Sequence, residues 1–202
     1  MVLVTMAGGV NWVAVQAAGT VALVLTSAGA IGYAGLQLRH ERGYRSVANL
    51  ERQLSFFLSE SFLRARQRLA QDRLDETGKL SPLDRTSPPA SALEVLDFYE
   101  HLGLLVKKGH LDVYDVWHTF YEWAQPVYAD MRLLVEGDGT MYADHYSDLR
   151  RLMLAMDRIQ QKRMETQRTD HWTLWTPERI VEHYQYELEA GGRPRRLWQA
   201  AT

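Results

Sequence analysis

The stretch Glu100–Trp123, "EHLGLLVKKGHLDVYDVWHTFYEW", carries two apolar runs of helical period separated by KKGHLD. Its first half reads like a phrase from a winged-helix DNA-binding domain, in which an apolar helix ends in GLL and a basic turn follows. The rival reading is a tight turn between two buried helices. Upstream, Leu93, Leu96, Tyr99, Leu102 and Leu105 or Val106 share one helical face, with Ser91 placed to cap it. Lys107 and Lys108 stand where cations suit a helix C-terminus, and Gly109 is a natural stop. Asp112 then caps a second helix, with Asp115 in its first turn. Along it Val113, Val116, Trp117, Phe120, Tyr121, Ala124, Val127, Tyr128 and Met131 recur at the helical period. Pro126 is expected to kink or end that helix.

A winged helix needs a β-hairpin of β-branched residues after its reading helix, and none follows. A reading helix aims Arg, Asn or Gln at base edges. The second helix offers aromatics and acids instead, including Asp112, Asp115, Glu122 and Asp130. The 202-residue chain has a formal net charge of −2, against the basic excess of a dedicated nucleic-acid binder. KKGHLD is therefore read as a helix–helix turn, and nucleic acid is not expected as a partner.

The charges are unevenly placed. No Lys, Arg, Asp or Glu precedes Arg39. Residues 10–38, "VNWVAVQAAGTVALVLTSAGAIGYAGLQL", exceed the roughly 20 apolar residues that a membrane helix needs. Trp12 and Tyr33 stand near the interfaces. A cleaved signal peptide carries its positive charge before the apolar run, whereas Arg39, Arg42 and Arg45 come after it. These arginines are expected at the membrane surface, with the C-terminal side in the cytoplasm and residues 1–9 outside. Ala14, Ala18, Ala22, Thr26, Ala30 and Ala34 form a small-residue stripe that suits a homodimer through the membrane helix.

From Arg39 to Arg73 there are eight Arg and four acids, a basic segment attracted to the bilayer. Val47, Leu50, Leu54, Phe57, Leu58, Ser61, Ala65 and Leu69 make it one amphipathic helix. Residues 75–90, "DETGKLSPLDRTSPPA", read as a loop, either a lid or a plain crossover. A membrane helix, a basic helix and then "VLDFYEHLGLLVKKGHLDVYDVWHTFYEWAQPVYADMR" resembles an uncharacterised family of bacterial single-pass, membrane-anchored helical proteins. Phe98, Tyr99, Gly103, Leu104, Leu105, Val106, Gly109 and Leu111 carry the likeness, over about Arg39 to Arg163. It implies an architecture and no catalytic residues.

Farther on, "EGDGT" (136–140) is a turn. Tyr142, Tyr146, Leu149, Leu152, Met153, Met156 and Ile159 mark another helix, running to about Arg168. Thr176 and Pro177 start a last, shorter one with Ile180, Val181, Tyr184 and Leu188 on its face. Residues 191–202 form a basic tail.

No nucleophile elbow, phosphate loop, zinc-protease motif or kinase triplet is present. With no cysteine, thiol catalysis and disulfides are excluded. The nearest thing to a polar pocket is Asp115, His118 and Glu122, one helical turn apart, and a cavity shared by Glu100, Asp115 and Glu122 is the way such carboxylates would converge. Two smaller groups are Asp144/His145/Asp148 and Glu178/Glu182/His183. A di-iron bundle needs paired Glu-x-x-His, which is absent, so no metal or cofactor is expected. Most aromatics suit a core. Trp123, off the main stripe, and Trp172 and Trp175 before the last helix are the candidates for an interaction surface.

The fold expected is all-α: an N-terminal transmembrane helix at 10–38, then a cytoplasmic bundle of four or five helices over 39–190. The function expected is an interaction, scaffolding or regulatory module with a protein partner. The alternative is a membrane-tethered enzyme or ligand sensor with a His/carboxylate pocket.

Overall fold

The computed structural model describes residues 46–137, 141–167 and 175–189. The apolar stretch 10–38, Arg39, Arg42 and Arg45, Trp172 and the tail 191–202 lie outside the described residues. The chain divides into two compact units, Met1–Tyr44 and Arg45–Thr202, and everything below concerns the second. Among the described residues no helix is long and apolar enough to cross a membrane.

The fold is all-α. Residues 46–57 form α1, followed by α2 (Glu60–Arg73), α3 (Ala90–Lys107), α4 (Val113–Val135), the single-turn α5 (Met141–His145), α6 (Ser147–Gln167) and α7 (Pro177–Glu189). The five long helices close a ring: α2 packs on α3, α3 on α6, α6 on α4, α4 on α7, and α7 back on α2. Leu96, Leu102, Phe120, Met131, Leu134, Leu149 and Met153 fill its centre. The described residues contain one isolated β-bridge, Leu74 to Leu80, and no named strand.

The KKGHLD turn is what the sequence implies, and its atoms explain why. Gly109 adopts φ +70°, a left-handed conformation that glycine takes without a Cβ penalty. His110 N–H then donates to Leu105 O (2.9 Å) and Gly109 N–H to Val106 O (3.0 Å), satisfying two terminal carbonyls of α3. Asp112 accepts from Tyr114 N–H at 2.7 Å and starts α4. From α1, Asn49 donates to His110 O and Ser46 Oγ accepts from Asp112 N–H, so the turn is also held from the side.

Gly103 has a different task. A Cβ built there would lie 2.3 Å from Asp148 O and 2.5 Å from Asp148 C, so α3 and α6 cross backbone to backbone. One turn before it, Glu100 accepts from the N–H groups of Asp148 (3.2 Å) and Leu149 (2.6 Å). One turn after it, Lys107 Nζ bonds Asp148 Oδ1 at 2.8 Å. A carboxylate thus caps the N-terminus of α6 from a neighbouring helix, where the free N–H groups and the helix dipole favour it.

Four expectations are corrected. The helix expected through Arg73 breaks at Leu58–Ser59: Ser59 accepts from Phe62 N–H and caps a fresh helix. The break sends Phe57 and Phe62 into one cluster, with ring centroids 5.7 Å apart, and leaves Val47 and Leu58 exposed. Pro126 neither ends nor divides α4, which runs on to Val135. Phe120 and Ala124 before it and Val127 and Met131 after it are all buried, and that packing outweighs one missing N–H. Ser91 is not a cap: α3 starts after Pro89, and Ser91 Oγ donates to Asp72 at 2.5 Å. The bundle also has one long helix more than five once α1 is included.

Two buried ion pairs come from α2. Arg73 grips Asp130 with two bonds (2.7 and 2.9 Å) and donates to Ser81 O, while Tyr184 Oη donates to the same carboxylate. Two turns earlier on the same face of α2, Arg66 donates to Glu187 at 2.9 Å, both side chains being under 5 % exposed. The Arg66 guanidinium lies 4.1 Å from the Phe57 ring centroid and 4.9 Å from that of Trp123. Burial pushes the Glu187 carboxyl up, against the opposing pull of Arg66.

Gly103→Ala should lower stability by about 1–3 kcal/mol through overpacking, read by urea denaturation; no loss would mean that α3 and α6 do not cross this closely. Arg66→Met strands Glu187 and should cost about 3–5 kcal/mol. Arg66→Met combined with Glu187→Leu should cost less than Arg66→Met alone, measured in the same way.

Candidate functional site

α7 packs on α2 and α4, and between it and α6 a cleft of about 330 Å³ opens over α4. Such a volume falls at the lower end of small-ligand sites. α4 places Tyr121, Gln125, Tyr128 and Arg132 along one stripe at spacings of three and four, facing Asp157 of α6 and Trp175 and Arg179 at the start of α7.

Asp157 is the chemical centre. It is half-buried and accepts from Tyr121 Oη (2.9 Å) and Gln125 Nε2 (3.0 Å). Burial pushes its carboxyl above the ordinary value, and these two hydrogen bonds only partly offset that. Gln125 is nearly buried, and its Oε1 has no hydrogen-bond partner among the described residues. At the other end Glu136 accepts from Tyr128 Oη and from Arg132 Nε. Burial acts to raise Glu136, but those bonds and the charges of Arg132 and Arg150 outweigh it and hold its carboxyl low. Across the cleft the Arg179 guanidinium stands 4.7 Å from the Trp175 ring centroid. A half-buried acid, fixed donors and an aromatic–guanidinium pair together suit a small polar molecule that carries both donors and an acidic or aromatic group.

Of the residues singled out in the sequence, Trp175 and Glu122 reach this cleft. Asp115 and His118 do not line it; His118 is exposed and Asp115 half-buried on the same helix. Glu100 does not join them, being committed to capping α6. Trp123 is half-buried rather than open: its ring meets Phe57 (5.6 Å), His183 (6.0 Å) and Tyr186 (6.0 Å) beneath α7. Asp148 pairs with Lys107 and Arg151, while His145 lies 3.6 Å from Asp97. Among the described residues no group of three or more His, Asp or Glu side chains is arranged to hold a metal ion. Asp157 was missed because Asp157 reads as one charge among several on the polar end of a helix. The usable signal was Tyr121 and Gln125, one turn apart, in an otherwise apolar face.

The 75–90 segment is pinned rather than poised over the cleft. Asp75 accepts from Thr77 and Lys79 N–H groups, Asp84 from those of Thr86 and Ser87, and Leu80 and Leu83 pack on the core. None of its residues lines the cleft.

Because the folded-state pKa of Asp157 is raised, its contribution to stability is complete below the ordinary carboxylate range and is lost as pH rises through the folded value. Wild type should therefore lose stability relative to Asp157→Asn as pH rises from about 4 to about 7, read from denaturation midpoints. Parallel curves would mean that Asp157 is solvated.

Compared with protein-family models, curated proteins and solved structures, the chain matches none.

Proposed function

We propose that this chain is a membrane-anchored regulatory binding module. Residues 10–38 span the bilayer, Arg39, Arg42 and Arg45 keep the following helices on the cytoplasmic side, and the bundle engages a protein partner or a second copy of itself. A small polar ligand in the α4–α6–α7 cleft controls that engagement. The observation that carries the reading is the place of Asp157: a half-buried acid with fixed donors, at the seam between α6 and α7. A molecule seated there bridges two helices that meet mainly through others, so its binding energy tightens the docking of α7. The small-residue stripe from Ala14 to Ala34 supports pairing of the anchors. Trp175, at the cleft mouth, is the aromatic whose exposure a bound ligand changes most directly.

A membrane-tethered enzyme is the second reading, favoured by the same raised Asp157, which suits a general acid. The two separate on what happens to the ligand.

The test is native mass spectrometry of the full chain, extracted from native membranes in mild detergent. Wild type should retain a small molecule that Asp157→Asn and Trp175→Ala release without loss of helicity. If the retained compound is converted on incubation, the enzyme reading replaces the regulatory one. An empty wild-type cleft, with no thermal shift from any polar metabolite in a broad panel, would sink both.

A further inference from the structure

A second concavity, of about 430 Å³, lies between α1 and α3 over the start of α2. Its floor is aromatic. Phe56 stacks on Phe98 (5.8 Å, 24° between planes) and meets Phe62 at 5.2 Å, while Phe62 and Phe98 are 4.8 Å apart. Phe62 and Phe98 are buried, but Phe56 is 49 % exposed. An exposed phenyl ring closing an apolar groove is a cost that single folding does not explain.

The rim says what would cover it. α3 presents Glu94, Asp97 and His101 at helical spacing, and α1 presents Arg52 one turn from Phe56. The two acids are already engaged. Glu94 pairs with Arg68 at 3.2 Å. Asp97 accepts from Tyr146 Oη at 3.1 Å and lies 3.6 Å from His145 Nε2. Arg52 and His101 make no hydrogen bond or ion pair with any described residue. The groove therefore offers a phenyl-lined bed flanked by the N–H donors of Arg52 and His101, one of them a guanidinium, while Glu94 is turned to Arg68 and Asp97 to the Tyr146 hydroxyl.

We infer that this groove is a binding site for an aromatic carboxylate. The aryl ring lies against Phe56 and Phe98, and the carboxylate takes the guanidinium of Arg52, whose planar fork matches it, with His101 as a second donor from the facing helix. The site shares no lining residue with the α4–α6–α7 cleft and does not depend on what that cleft does.

The experiment is calorimetric titration of the full chain in neutral-lipid nanodiscs, with empty nanodiscs subtracted, using phenylbutyrate and its charge-inverted analogue phenylbutylamine. Phenylbutyrate should bind about fivefold more tightly than the amine, the scale of one exposed ion pair. Arg52→Gln should abolish that preference, and Phe56→Ala should weaken both probes. Both residues are exposed, so the variants should keep wild-type helicity and melting. Asp157→Asn should leave both titrations unchanged, which separates failure here from failure at the cleft. Equal or tighter binding of phenylbutylamine, or a preference that survives Arg52→Gln, would overturn the assignment, as would the absence of binding by either probe.

Discussion

Everything in the bundle is arranged around a backbone-to-backbone crossing at Gly103. No side chain fits between α3 and the first turn of α6 there. That contact fixes the two helices closely enough for Glu100 to reach two backbone N–H groups of α6 and for Lys107 to reach Asp148. The "GLLVKKG" phrase is thus two devices in seven residues. Its first glycine sets the distance between two helices, and its second turns the chain into a third.

The opposite side of the ring is held by charge. Arg66 and Arg73 lie on the same face of α2, seven residues apart, and reach Glu187 of α7 and Asp130 of α4. Desolvating such pairs costs several kcal/mol per ion before Coulomb attraction returns it, so the net stabilisation they give is small beside the cost of removing one partner. Arg73 is fully used, with a two-bond grip on Asp130 and a third bond to the 75–90 loop. Arg66 is less completely satisfied, since its Nε and Nη2 and the Glu187 Oε2 have no partner among the described residues, and aromatic faces from Phe57 and Trp123 compensate in part. α7 is therefore held by the directional contacts of Glu187 and Tyr184 together with the burial of Ile180 and Tyr184 in the core.

The two concave sites differ in kind. The cleft beside α7 is polar, with an acid whose carboxyl is raised above its ordinary value by burial and donors fixed on α4. The α1–α3 groove is apolar, with its polarity confined to the rim. Neither is built from the histidines that draw the eye in the sequence. His118 is exposed, and His183 meets the rings of Trp123 and Trp175.

Helical periodicity alone determined that the described part of this protein is all-α, where α3 and α4 meet, and that Trp117, Phe120, Tyr121 and Tyr128 are core. Those features depend on neighbours three and four residues away, and such neighbours are visible in a string of letters. The absence of charge before Arg39 is equally plain in the sequence. Only the tertiary structure decided the rest. Trp123 is half-covered because α7 returns across it. Ser59 interrupts an otherwise continuous amphipathic pattern because Phe57 and Phe62 gain a shared cluster, and Pro126 fails to interrupt one because both flanking turns are buried. Arg66 finds Glu187 across 121 positions of chain, and Asp157 finds Tyr121 across 36. Pairings at that separation follow from which helix faces which, and helical period carries no record of that.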